Sequence, residues 1–161
     1  MLKFGFVNET NMSLLTDLYE LTMAQVYLKD NMTKQAVFDF YIRPTEKRSF
    51  FINTGLEQLL YYLENMKFTN EDLEYLKSLG FEDFFLDYLK NFKFTGNVYA
   101  IEEGQVIFPN EPVVQIEAPL PEAQIIETFL INTLQLPILV ATKAVRCYIA
   151  GKGKKYLLIL G

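Results

Sequence analysis

Histidine is absent from the 161 residues of this chain, and cysteine occurs once, as Cys147. Without histidine, the chain cannot form a serine–histidine or cysteine–histidine nucleophile, or a histidine-ligated metal centre. A single cysteine also excludes an intrachain disulfide and a multi-cysteine zinc site. Because Cys147 lies in an apolar helical stretch, we expect a buried and inert thiol rather than a nucleophile.

A basic surface is lacking as well. The chain has 15 basic and 20 acidic residues, for a formal net charge of -5, so we expect no nucleic-acid binding. Apolar residues make up 50% of the chain and aromatic residues 15%, which predicts one folded domain rather than disorder. Residues 1–5 carry no charged region followed by a long apolar run, so we expect a cytoplasmic protein.

No apolar run is long enough to cross a membrane without interruption. The most apolar stretch, Ile125 to Ala150, contains Glu127, Pro137, Lys143 and Arg146, whereas a spanning helix needs about 20 nearly uninterrupted apolar residues. We therefore predict a buried helical hairpin that is broken or kinked at Pro137, and no membrane partner.

Apolar periodicity predicts an α+β fold, because the strands and helices are grouped rather than alternating. Ser13 is expected to cap a helix over 14–29, and Thr69 with Asp72 to cap a helix that ends before Gly80. The remaining predicted helices cover 56–65, 81–91 and the two arms of the hairpin, and the predicted strands cover 35–42, 50–53 and 156–160.

Three further strands are predicted between Val98 and Ile116, where the apolar period changes to two. The polar turns between them predict a three-stranded antiparallel meander, which we expect to pair with the strand around 37–41. Glu102 and Glu103 stand beside Gly104, and we expect exposed carboxylates of a hairpin turn rather than an acid–base pair.

Two groups of polar residues are candidates for a site. Residue type alone indicates that Tyr19 is a core aromatic and that Asp17 is a first-turn carboxylate favoured by the helix dipole. Lys143 and Arg146, with the lysines of 151–155, have the charge to bind a phosphate, but they lack the P-loop pattern and are typical of a solvated helix end. Arg43 is expected to be a solvated cation at a strand end.

Seven segments resemble those of the nicotinate phosphoribosyltransferase family, and they occur in colinear order across nearly the whole chain. They are LTDLYELTMA (15–24), AVFDFYIR (36–43), GLE (55–57), FTGNVYA (94–100), EGQVIFPNEP (103–112), EAQ followed by Glu127 and Thr128 (122–128), and ATKA followed by Arg146 (141–146).

The resemblance implies the fold of a type II phosphoribosyltransferase, with an N-terminal α+β domain over 1–137 and the beginning of a truncated α/β barrel over 138–161. It implies a cytoplasmic homodimer that joins nicotinate to phosphoribosyl pyrophosphate in NAD biosynthesis, with ATP and magnesium as cofactors. It also implies that Tyr19 stacks on nicotinate bound in the partner subunit, with Asp17 nearby. It assigns no catalytic residue, no metal ligand and no role to Arg43, Lys143 or Arg146.

The resemblance also implies what lies outside this chain. The family's phosphoribosyl pyrophosphate site, its arginine pair and its phosphate-accepting histidine belong to the barrel, so we expect this chain alone to be inactive and prone to self-association. Family members read Asp-Phe-Gly where this chain reads Ile159-Leu160-Gly161. Loss of the first base of GAT-TTT-GGG gives Ile-Leu-Gly, so we expect a frameshift, with an arbitrary truncation or a natural split subunit as the alternatives. The alternative function is a non-catalytic interaction module that docks to a separate barrel chain.

Overall fold

The computed structural model describes residues 8, 11–46 and 48–152, and within them the chain has the predicted α+β composition. The helices are α1 (Leu18–Lys29), α2 (Leu56–Asn65), α3 (Asn70–Ser78), α4 (Asp83–Lys90), α5 (Leu120–Ile125) and α6 (Glu127–Ala150). The strands are β1 (Gln35–Tyr41), β2 (Phe51–Ile52), β3 (Asn97–Ala100), β4 (Val106–Ile107) and β5 (Pro112–Pro119).

The larger sheet has β5 at its centre, with β1 and β3 antiparallel on either side. Phe38 of β1 and Val98 of β3 both lie opposite Ile116 of β5. Ile116 is buried, and Phe38 and Val98 pack against the core, so these three residues form a continuous apolar row across the sheet. The predicted pairing of the later strands with the strand around 37–41 is confirmed through β5.

The predicted three-stranded meander is wrong, because β4 pairs with β2 in a separate two-stranded sheet. Asn53 accounts for the pairing of β4 with β2 rather than with β3 or β5. Its side-chain amide donates to the Ile101 carbonyl at 2.5 Å, and its backbone carbonyl accepts from the Gly104 amide at 2.8 Å. These contacts hold the loop between β3 and β4 beside the end of β2. Strand β4 therefore pairs with β2, which is distant in sequence, and not with the neighbouring strands as its turns had indicated.

Helix α1 begins at Leu18, four residues later than predicted, and Ser13 is not its cap. The Ser13 hydroxyl instead donates to Asp72 at 2.8 Å, far from α1 in sequence. The buried residues of α1 are Glu20, Leu21 and Ala24. The face of α1 that packs against the core therefore includes a carboxyl group.

Helices α2 and α3 follow the prediction closely. Helix α2 has the predicted bounds, and the Thr69–Asp72 capping box at the start of α3 is present in both directions. Glu103 is an exposed turn residue, as predicted, and its Oε1 atom also accepts from the amides of Gly55 and Leu56, each at 2.6 Å. A carboxylate from the β3–β4 loop therefore caps α2 and complements its dipole.

The predicted helical hairpin is also wrong about the residue at which the helix breaks. The short helix α5 ends at Ile125, and α6 then runs without interruption through Pro137. Proline has no amide hydrogen to donate to the carbonyl four residues earlier, which belongs to Thr133. Residue 137, the expected domain boundary, thus falls inside a helix. The predicted strand over 156–160 lies outside the described residues.

Helix α6 is buried along one stripe only. Its buried residues are Phe129, Leu130, Leu134, Ile138 and Thr142, and the residues beyond Thr142 are exposed or half-buried. The expectation of a buried Cys147 is therefore wrong, because this thiol is exposed.

Within the described residues, α6 is the one helix long and apolar enough to cross a membrane, and 28% of its most apolar window is buried. This is weak evidence for a membrane span, since the core helix of a soluble protein has the same composition.

Candidate functional site

The beginning of α1 meets the beginning of α6 in a cluster of hydroxyl and carboxyl groups. The Thr128 hydroxyl oxygen lies 3.0 Å from Asp17 Oδ2 and 2.6 Å from Glu20 Oε1. The backbone amide of Asp17 donates to the same hydroxyl at 3.3 Å, and the Thr128 amide donates to Glu20 Oε2 at 3.3 Å. The Thr16 hydroxyl also contacts Glu20 Oε2. Thr128 thus joins two acidic side chains that are three residues apart on α1.

Tyr19 is 50% exposed and lies next to this cluster, so its prediction from residue type alone as a core aromatic is wrong. Partial burial and the neighbouring carboxyl groups of Glu127 and Glu20 raise the pKa of the Tyr19 hydroxyl. The side chain is therefore a neutral phenol near neutral pH. Tyr19 therefore presents a half-exposed, uncharged aromatic ring at the start of α1.

Glu20 is fully buried, in contrast to Asp17 and Tyr19. Burial raises the pKa of the Glu20 carboxyl, and the hydrogen bonds from Thr128 and Thr16 oppose that change. Glu127 adds a further negative charge that raises it, and Gln124 holds Glu127 with a hydrogen bond of 2.9 Å. The site is thus rich in acidic groups, and one of them has no access to solvent.

The structure brings together two of the segments on which the family resemblance rests, 15–24 and 122–128. The family resemblance predicted Asp17 and Tyr19 as binding residues, and sequence reasoning did not predict that Glu20 and Thr128 join Asp17 in one cluster. Nothing in the local sequence around Glu20 indicates a partner 108 residues away. The signal available in the sequence was that both segments match the same family.

A separate cleft of about 840 Å³ lies between the outer part of the larger sheet and α6. Arg43 and Arg48 line it together with Asp39, Glu127 and Gln135. Arg43 is exposed just after the end of β1, as expected, and it also lines a cleft that contains carboxylates. Glu127 lines this cleft and also acts on Tyr19 electrostatically, so the cleft and the hydroxyl–carboxyl cluster are neighbours.

The second basic cluster predicted from the sequence is described only in part. Lys143 is exposed on the second half of α6 and does not line the cleft, and Arg146 lies one turn further along the same helix. The lysines at 154 and 155 lie outside the described residues. Among residues 8, 11–46 and 48–152, no group of three or more acidic or thiol side chains is placed to hold a metal ion.

Solved structures share this fold. Human nicotinic acid phosphoribosyltransferase superposes with a TM-score of 0.82 at 30% identity, over 92% of this chain and 31% of the human chain. Nicotinate-nucleotide pyrophosphorylase from Pyrococcus furiosus superposes with a TM-score of 0.69 at 26% identity, over 96% of this chain and 33% of that one. The fold is that of the N-terminal region of a type II phosphoribosyltransferase.

Sequence comparisons narrow this class to one family. The family model of the nicotinate phosphoribosyltransferase N-terminal domain matches residues 14–135. Nicotinate phosphoribosyltransferase pncB2 of Mycobacterium tuberculosis is 46% identical over 88% of this chain, and the Bacillus subtilis enzyme is 45% identical over 91%. The chain belongs to the nicotinate phosphoribosyltransferase family. It spans less than a third of the length of these curated relatives, 31% and 30% respectively.

Proposed function

We propose that this chain supplies the nicotinate-stacking face of a nicotinate phosphoribosyltransferase active site, with Tyr19 and Asp17 as its binding residues. The reaction joins nicotinate to phosphoribosyl pyrophosphate and releases nicotinate mononucleotide and pyrophosphate in NAD biosynthesis. The observation that carries the proposal is the half-exposed ring of Tyr19, which is fixed beside the Asp17–Thr128–Glu20 cluster. Both segments of that cluster lie within the family match.

The stacking role follows from the physical character of the Tyr19 site. Nicotinate has a flat pyridine ring, and offset stacking on a tyrosine ring combines apolar burial with favourable quadrupole contacts. Asp17 and Glu127 make the surroundings acidic, which disfavours the carboxylate of nicotinate unless basic groups lie on the opposite side of the ligand. Arg43 and Arg48 of this chain line the neighbouring cleft, and the partner subunit of a cytoplasmic homodimer supplies the remaining basic groups, so the proposed site is composite.

Among the residues that the structure describes, no group of three or more acidic or thiol side chains forms an all-protein metal site. Magnesium in nucleotide sites is held by one or two carboxylates together with the phosphates of the substrate. We therefore propose that ATP coupling and metal binding belong to the barrel of a complete enzyme.

The test of this role uses a chimera, in which residues 1–152 of this chain replace the matching part of the Mycobacterium tuberculosis relative. We expect Tyr19→Ala to raise the KM for nicotinate about 5- to 30-fold, which corresponds to about 1–2 kcal/mol of stacking. Turnover should change less, because stacking stabilises the ground and transition states alike.

Tyr75→Ala is the matched control, because Tyr75 is similarly exposed at 56% but lies on α3. It should leave both constants unchanged. An unchanged KM in the Tyr19→Ala chimera would show that Tyr19 does not bind nicotinate.

The second candidate function is a non-catalytic module that docks to a separate barrel chain. The exposed apolar residues on α6, Leu136, Val140, Tyr148 and Ile149, favour an additional protein surface against this helix. A barrel chain expressed separately distinguishes the two candidates. Activity restored by mixing the two chains supports docking, whereas activity only in the covalent chimera supports a single polypeptide.

A further inference from the structure

The two carboxyl contacts of the Thr128 hydroxyl require one more hydrogen than a hydroxyl and two ionised carboxylates have between them. The Thr128 hydroxyl has one hydrogen, yet its oxygen lies within hydrogen-bond distance of Asp17 Oδ2, at 3.0 Å, and Glu20 Oε1, at 2.6 Å. A hydroxyl donates one hydrogen bond, and an ionised carboxylate only accepts. If both carboxyl groups were ionised, one of these two contacts would bring two acceptor oxygens together with no hydrogen between them.

One arrangement accounts for every contact of the Thr128 hydroxyl. Glu20 Oε1 carries a proton and donates it to the Thr128 hydroxyl oxygen, and that hydroxyl donates to Asp17 Oδ2. The Asp17 amide also donates to the Thr128 hydroxyl, at 3.3 Å. Glu20 Oε2 accepts from the Thr16 hydroxyl and from the Thr128 amide. The extra proton belongs on Glu20 rather than on Asp17, because Glu20 is buried while Asp17 is exposed, and burial disfavours the charged form.

We propose that Glu20 is a positioning residue in its protonated form, whose carboxyl proton completes a Glu20–Thr128–Asp17 relay that fixes the start of α1. Asp17 and Tyr19 lie at that helix start, so the relay sets the position of both proposed nicotinate-binding residues. This inference deepens the proposed function and rests on it for the ligand, but the protonation state of Glu20 can be measured without any ligand.

The groups around Glu20 favour the neutral form. Glu127 of α6 faces it with a negative charge, and Tyr62 of α2 approaches it with a fully buried hydroxyl. Asp17 and Tyr19 lie on its own helix. Helix α5, which packs against α1, contributes the carboxylate of Glu122, but that group accepts from the Thr95 amide at 2.7 Å instead. These acidic and phenolic neighbours agree with a raised pKa for Glu20.

Protonation also matters for the ligand. A charged Glu20 would add a negative charge beneath a surface that already contains Asp17 and Glu127, and nicotinate is itself an anion. Nicotinate binding is therefore expected to weaken as the pH rises through the pKa of Glu20. The same rise in pH removes the hydrogen that Thr128 needs in order to contact both carboxyl groups.

The experiment is a pH titration of the 161-residue chain by carbon-detected NMR of its aspartate and glutamate side chains. We expect the Glu20 carboxyl to have the highest midpoint of these groups. The Asp17 amide and the Tyr19 ring should shift with that same midpoint, because the relay links them. In Glu20→Gln, an uncharged isostere that can still donate to Thr128, this shared transition should be lost while the chain stays folded.

Two further variants separate positioning from general stability. Thr128→Val removes the hydroxyl and should uncouple the Asp17 and Tyr19 signals from Glu20, whereas Thr128→Ser should restore the coupling. Glu64→Gln, at an exposed position of α2, should leave the shared transition intact. A Glu20 midpoint among those of the exposed glutamates, or an Asp17 shift that survives in Glu20→Gln, overturns the inference.

These results are independent of Tyr19→Ala in the chimera. An unchanged KM for nicotinate in that chimera would contradict the proposed function, but it would not alter the result expected for the Glu20 titration.

Discussion

The two halves of α6 differ sharply in what they contact. In the first half, Phe129 stacks on Tyr62 with ring centroids 3.6 Å apart, and Leu134 and Ile138 are fully buried. The stripe ends at Thr142, whose hydroxyl accepts from the Ile52 amide at 3.0 Å. In the second half, Tyr148 and Ile149 are exposed although the helix continues. One helix thus serves as a core element over its first half and as an apolar surface over its second.

This difference between the two halves of α6 shows where the hydrophobic core of the described residues ends. Burial follows positions 130, 134, 138 and 142, which is the spacing of one helix face, and it stops where the partners β2 and α2 end. The exposed apolar residues beyond that point have the character of an interface. Substitutions at the buried positions of α6 and at its contacts are expected to have larger effects than substitutions at its exposed positions.

The largest effect is expected from Gly55→Ala. Gly55 has a φ of +99°, and an added Cβ would lie 2.5 Å from the Thr133 carbonyl oxygen, the atom that Pro137 leaves without its usual helix donor. Backbone strain and this contact together should cost about 4 kcal/mol or more of unfolding free energy. Urea unfolding followed by circular dichroism measures the loss. Gly80→Ala also has a positive φ but open space around it, so it should cost much less.

A smaller effect is expected from Leu134→Ala. Leu134 is 0% exposed, so its truncation leaves a cavity and should cost about 3 kcal/mol of unfolding free energy. Leu136→Ala on the same helix is the control, since Leu136 is 65% exposed and should change stability by less than about 0.5 kcal/mol. Equal losses in the two variants would mean that the exposed face of α6 is packed in this chain.

The smallest structural effect concerns Cys147. Because this thiol is exposed, we expect it to react with a thiol reagent in the folded chain almost as fast as in urea. The comparison is Ile138→Cys in a Cys147→Ser background, which places the thiol at a buried position of the same helix. That thiol should react only as fast as the chain opens. Protection of Cys147 would show that the second half of α6 is covered.

Features specified by local chemistry could be predicted from the sequence. The bounds of α2 follow from leucine spacing, the start of α3 from the Thr69–Asp72 capping box, and β1 from its β-branched and aromatic residues. Each depends on residues within a few positions of one another. The family resemblance supplied Asp17 and Tyr19.

Features specified by distant contacts could not be predicted. The pairing of β4 with β2 depends on Asn53, and the late start of α1 depends on Thr128, which binds the Asp17 side chain. Pro137 did not break the helix, and the Thr133 carbonyl that it leaves without a donor lies close to Gly55, just before α2. Glu20 was missed because a carboxyl on an apolar helix face has no distinctive local pattern; its role arises only when α6 covers it.

The central claim is that this chain provides one face of a composite active site, and turnover measures it most directly. The isolated chain and the chimera with the Mycobacterium tuberculosis relative are each assayed with nicotinate, phosphoribosyl pyrophosphate and magnesium ATP, with nicotinate mononucleotide as the product. The account predicts no product above the enzyme-free blank for the isolated chain and sustained turnover for the chimera. Turnover by the isolated chain, or a folded chimera that forms no product, would contradict it.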